Sequence, residues 1–118
     1  MCRRDSDRIV PICADESFHD RTSFAKLDRK YDAVNIKLDK TGGLTEAILV
    51  AQEAEARGMQ IMIGCMVSTS LAMAPAFLVA QACLVTDLDG PLLQRLDRPH
   101  PIRFERGVMQ APDSALWG

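Results

Sequence analysis

The sequence has 118 residues, a formal net charge of -2, 47% hydrophobic residues and 25% charged residues. That is enough chain for one small domain of ordinary globular composition, burying roughly two thirds of its extended surface. No broad basic excess points to nucleic acid, and no apolar run approaches the ~20 residues of a spanning helix, so neither nucleic acid nor a membrane is expected as a partner.

Residues 1–8 are polar and are expected to form a poorly packed leader. MCRRDSD carries arginines but lacks the apolar stretch of a signal peptide, so a cytoplasmic location is the expectation. Ile9–Ala14, IVPICA, is a strand candidate whose Pro11 suits an edge. Phe18–Lys30 is weakly helical, with Asp20 as its cap. Ala33–Leu38 is a second strand, near-continuously apolar as in a sheet covered on both faces. Gly42 and Gly43 permit a tight turn.

Leu44–Arg57 is the clearest helix, with Leu44, Ala47, Ile48, Ala51 and Ala54 on one face and Gly58 as its stop. Gln60–Met66 is the third strand, in which Gly64 allows a close approach of backbone or ligand. Ser68, Thr69 and Ser70 are cap candidates for a helix over Leu71–Ala82. Its expected core face is Leu71, Ala74, Leu78 and Ala82, and Pro75 belongs in its first turn or marks a kink. Cys83–Leu88 is the fourth strand. Strand starts recur about every 25 residues with one helix between them, so residues 9–91 read as a βαβαβαβ run with a parallel sheet. Residues 92–118 break the pattern. Leu92–Pro101 is charged and proline-bounded. Ile102–Met109 is a hairpin or an extended arm. Leu116 and Trp117 call for another domain or subunit to pack against.

The chemistry gathers at the strand ends. Lys37 interrupts a β-type run, and a buried ammonium requires a partner. Asp15 is its candidate counter-charge. Lys37 is a general acid or base if its pKa is lowered, or an ammonium reaching solvent. Lys40 lies farther out, toward an anion or solvent, and Asp39 is a turn residue. Asp15 and Glu16 are candidate ligands of a hard divalent cation, or turn residues. Asp87 and Asp89 have the period-two spacing of one strand face and suit an ammonium, or they belong to the turn in DLDGP. The four cysteines form no CxxC pair, and Cys13, Cys65 and Cys83 read as buried free thiols rather than zinc ligands. His19 and His100 are assigned no chemistry.

ADES at 14–17, NIKLDKTGG at 35–43, GCMVSTSLA at 64–72 and DLDGP at 87–91 together resemble the enolase superfamily. Within it they are most similar to dipeptide epimerases of the L-Ala-D/L-Glu type, in the muconate-lactonizing branch. The resemblance implies an α/β fold, the C-terminal half of a modified (β/α)7β TIM-like barrel, with these strands as its fifth to eighth. It implies that Asp15 is the third magnesium ligand and Lys37 the catalytic lysine. Asp87 and Asp89 would receive the α-ammonium of a dipeptide substrate, with Cys65 and Met66 beside it. The implied reaction is magnesium-dependent epimerisation through an enediolate.

The family's second lysine, its two earlier magnesium ligands and its capping domain have no counterpart in this sequence. Magnesium binding is therefore expected to be weak or absent, and the chain alone is expected to be inactive. A shortened gene product or one part of a split assembly is implied, with residues 92–118 as an arm toward the missing cap. Self-association into a closed eight-stranded sheet, or pairing with a missing N-terminal half, would cover the exposed interior. The alternatives are a non-catalytic fragment or assembly partner, a flavodoxin-like ligand-binding domain, and a relative of muconate cycloisomerases, o-succinylbenzoate synthases or N-acylamino-acid racemases.

Overall fold

The computed structural model describes residues 9–27 and 30–118; the expected leader at 1–8 lies outside the described residues. Four parallel strands form one sheet: β1 (Cys13–Ala14), β2 (Ala33–Ile36), β3 (Gln60–Ile63) and β4 (Val85–Thr86). Their spatial order is β1-β2-β3-β4, the same as their order in the chain. A flavodoxin-like sheet requires a crossover order, so that alternative is excluded.

The register explains which residues share a face. Cys13 pairs with Ala33, Ala33 with Gln60, Asn35 with Met62, and Met62 with Val85. Side chains alternate across a strand, so this row lies on one face and Val34, Ile36, Ile61 and Ile63 lie on the other. The second set is buried with Ala47, Val50 and Ala54 of α3 (Leu44–Ala56) and with Met73 and Ala74 of α4 (Ser70–Ala80). From the first set, Cys13, Ala33, Gln60, Met62 and Val85 line a cavity of about 260 Å³ that Pro11, Ile61 and Leu84 also border. The β2 residues are all buried, as expected of a central strand.

The edges are shorter than the apolar runs suggest. Ile9 and Val10 are exposed and lie outside β1. Pro11 cannot donate to a ladder, and Ile12 turns its N–H to the Asp32 carboxylate at 2.8 Å. Val85 and Thr86 of β4 are both exposed.

Asp20 caps a short 3-10 turn at Arg21–Ser23, which runs into α1 (Phe24–Leu27). Phe24 packs edge-on to Phe18 with ring centroids 5.0 Å apart, and the Arg57 guanidinium covers its ring at 4.8 Å. Val50, not Ile48, is buried on α3. On α4 the buried side is Ser70, Met73, Ala74, Ala76 and Val79. Leu78 is exposed, because α4 is apolar all round and periodicity does not select a face. Pro75 sits inside that helix.

Beyond the sheet, a 3-10 turn at Gly90–Leu93 leads to an antiparallel hairpin of β5 (Phe104–Glu105) and β6 (Val108–Met109). Arg106 and Gly107 both have positive φ, the geometry of a tight type I′ connection. The charged stretch before it is anchored. Asp97 accepts from the Ser70 backbone N–H at 2.8 Å and from the Ser70 hydroxyl, capping α4 across the chain. The Ser70 oxygen accepts in turn from the Ile102 N–H at 3.0 Å.

Candidate active site

The carboxyl ends of β1 and β2 meet at one carboxylate. Asp15 follows Ala14 directly, and Lys37 follows Ile36 in extended backbone before capping a single helical turn, α2 (Leu38–Thr41). Gly42, in the left-handed region, ends that turn, and Gly43 opens α3. The Lys37 Nζ lies 2.9 Å from Asp15 Oδ1 and 3.6 Å from Glu16 Oε1, with the Lys37 side chain 10% exposed. This is the counter-charge that a lysine in a buried strand requires.

Lys40 differs from expectation. Its Nζ lies 2.8 Å from the same Asp15 Oδ1 and 2.7 Å from the Asp15 carbonyl oxygen, and its side chain is only 6% exposed. The stretch read as a glycine loop begins with a helical turn. A spacing of three residues there brings Lys37 and Lys40 to one side. That i, i+3 spacing was the available signal.

The charges follow from these contacts. The Asp15 hydrogen bond, working against burial, lifts Lys37 above the usual lysine range. A resting general base needs the opposite shift. Burial pushes the Asp15 carboxyl up, but hydrogen bonds from Lys40 and Lys37 outweigh it and hold the group below its usual range.

Asp87 and Asp89 lie just past β4, with Leu88 buried between them. Burial, then the charge and hydrogen bonding of Asp89, raise the Asp87 carboxyl, while the Lys37 charge lowers it. Asp89 stands at the N-cap of the Gly90–Leu93 turn without a side-chain cap bond. The turn thus forms without a side-chain cap from that carboxylate.

Gly90 brings this loop against the end of β3. A Cβ there would meet the Met66 carbonyl oxygen at 2.6 Å and Cys65 Sγ at 3.1 Å. Cys65 is half-buried, its thiol pushed up by burial, and Met66 is exposed. The expected site residues therefore gather at one end of the sheet. Cys13, Cys65 and Cys83 are free thiols, each half-buried rather than buried. Burial pushes Cys83 up to about 11.

One rung below Lys37, Asn35 is 3% exposed, and its Oδ1 has no hydrogen-bond partner among the described residues. A Cβ on Gly64 would meet that oxygen at 2.7 Å, so Gly64 makes room for the amide. Sequence reading passed over Asn35. A polar residue inside an apolar run was its only signal.

A magnesium ion prefers six oxygen ligands in near-octahedral geometry. Here two ammonium groups share one carboxylate oxygen, and among the described residues no group of three His, Cys, Asp or Glu could hold a metal ion. The described residues by themselves do not fit a magnesium site.

A parallel sheet in consecutive order, with lysines and carboxylates at its carboxyl ends, makes an α/β domain consistent with part of a TIM-barrel-like fold. A family profile described as Enolase C-terminal domain-like matches residues 3–115. The chain belongs to the enolase superfamily, in its muconate-lactonizing and epimerase branch. It is 51% identical over 109 residues to an N-acetyl-D-glutamate racemase from Pseudoalteromonas sp, covering 92% of this chain and 35% of that protein. It is 47% identical over 100 residues to the L-Ala-D/L-Glu epimerase of Escherichia coli strain K12, covering 85% of this chain and 31% of that protein. A crystal structure from Agrobacterium tumefaciens, an enolase family member with homology to dipeptide epimerases, contains bound sodium and L-Ala-L-Glu. It superposes with a TM-score of 0.89 at 54% identity, over 92% of this chain and 33% of that one. The chain thus spans about a third of the length of these relatives. Members of the family use magnesium in catalysis. Among the described residues, no helix is long and apolar enough to cross a membrane.

Proposed function

We propose that this chain carries the acid–lysine part of an epimerase site acting on dipeptides or closely related amino-acid derivatives. The rest of the site would come from further barrel strands. The observation that carries this reading is the Lys37–Asp15 contact of 2.9 Å at the carboxyl ends of adjacent parallel strands. In this reading β1 to β4 are the fifth to eighth strands of a (β/α)7β barrel. The concave face is closed by a missing N-terminal half or a second copy, and residues 92–118 form an arm toward a cap.

Lys37 is the proton-transfer residue. Its raised pKa suits the donating half of an epimerisation, in which an ammonium delivers a proton to a planar carbanion. The abstracting half requires the Asp15 charge to be taken up by another cation, so that Lys37 can release its proton. Asp15 sets that balance, and the chain alone stays in the donating state and is inactive. Asp87 and Asp89 present two adjacent carboxylates to a substrate ammonium, with Cys65 and Met66 beside them. Magnesium belongs to the completed site in this reading.

The test is a graft. This chain replaces the corresponding segment of the E. coli epimerase, and α-proton exchange of L-Ala-L-Glu is followed by NMR in deuterated water. Exchange that disappears in Lys37→Met supports the reading. A folded graft without exchange overturns it.

A second reading, an N-acylated substrate, is favoured by the 51% identity to the N-acetyl-D-glutamate racemase. An N-acyl group carries no ammonium, so Asp87→Asn with Asp89→Asn separates the two. The double variant should lose dipeptide exchange and keep N-acetylglutamate exchange only under the second reading.

A further inference from the structure

Lys40 is more enclosed than Lys37, and among the described residues both of its Nζ contacts are to one residue, the carboxylate and the carbonyl of Asp15. Its position is also fixed through the backbone. The Lys40 N–H donates to the Lys37 carbonyl at 2.9 Å inside a turn closed by left-handed Gly42. The two ammonium groups are therefore held at a set spacing about one oxygen. Glu16 Oε1 lies 3.6 Å from the Lys37 Nζ.

We propose that Lys40 is the resident cation of the Asp15 carboxylate. It is a positioning residue that holds Asp15 against Lys37 and competes with a divalent metal ion for the same oxygen. The inference deepens the reading of Asp15 as a site residue. A divalent ion brought to Oδ1 meets two ammonium charges within hydrogen-bond distance of that oxygen, and like charges at such separations repel strongly even in a partly wet site. Removing the Lys40 charge lowers that barrier.

The test is manganese binding to the full chain, read by electron paramagnetic resonance, with no substrate present. Lys40→Met should tighten the apparent Kd by about tenfold or more over the unsubstituted chain. Lys40→Arg should restore the weak binding. Lys26→Met, which removes a charge on α1, should leave it unchanged. The gain should vanish in Lys40→Met combined with Asp15→Asn. The proposal is overturned if Lys40→Met binds no better than the unsubstituted chain, if Lys26→Met tightens binding equally, or if the gain survives loss of Asp15. Should Lys40→Met fail to fold, the lysine ammonium resonances of the unsubstituted chain decide. The Lys40 signal should be protected from solvent exchange and lose that protection in Asp15→Asn; an unprotected signal, or one unchanged by Asp15→Asn, overturns the proposal. Because no dipeptide enters, failure here is distinct from failure of the graft.

Discussion

Lys37 Nζ and Asp15 Oδ1 stand 2.9 Å apart, joining the carboxyl ends of β2 and β1. The contact makes stability depend on pH at both ends of the scale. The Asp15 pKa lies below the usual aspartate value in the folded chain. Its contribution is therefore present above that value and is lost as pH falls through the folded pKa. The Lys37 pKa lies above the usual lysine value in the folded chain. Its contribution is present below that value and is lost as pH rises through the folded pKa. Urea denaturation across pH should show both limbs. Lys37→Met should flatten the alkaline limb, and Asp15→Asn the acid limb and the part of the alkaline limb that Lys37 owes to Asp15. Unchanged profiles would remove the pair from the account of stability.

Asp97 should matter more than a charged, proline-bounded stretch suggests. Asp97→Ala removes the cap of α4 and leaves the buried Ser70 hydroxyl without its acceptor. The cost should be about 1–3 kcal/mol by urea denaturation. Faster hydrogen exchange at the Ile102 amide should accompany it, since Ser70 also holds that N–H. Destabilisation without faster exchange at Ile102 would mean that the arm is anchored elsewhere.

Gly90→Ala places a methyl group 2.6 Å from the Met66 carbonyl, a backbone atom with little room to yield. We expect a loss of about 1–3 kcal/mol. NMR shift changes should spread through both the 65–68 and 87–90 segments. Changes confined to residue 90 would indicate an easily displaced loop.

Asn35→Leu should stabilise this chain. The substitution removes a buried carbonyl oxygen that has no partner among the described residues, worth about 1 kcal/mol. A drop in melting temperature would instead show that water or an associated chain satisfies the amide. In the graft, the same variant should reduce exchange if that oxygen serves the completed site.

Much of this architecture was legible from spacing. Strands recurring with one helix between them dictated a parallel sheet, and the consecutive order agrees. Lys37 and Asp15 were readable because a charged residue at the end of a buried strand requires a partner. Three features were not. The edge strands are shorter than IVPICA and CLVTDL imply, because hydropathy registers apolar character but not whether a neighbouring strand is there to pair with. The buried face of α4 is only partly legible: Ala74 is buried as expected, but Leu78 and Ala82 are exposed, because apolar side chains surround the whole helix. Lys40 was placed outside the site because DKTGG reads as a turn, and the helical turn that redirects its side chain is only four residues long.

The consecutive strand order also bears on how the chain reaches its fold. Each strand finds its partner in the next βα unit: Cys13 pairs with Ala33, Ala33 with Gln60, and Met62 with Val85. No pairing waits for a distant segment, so the loops to be closed are short and the sheet can grow in the direction of synthesis. Each new strand docks on the one made just before it. The topology thus favours growth of this sheet strand by strand along the chain.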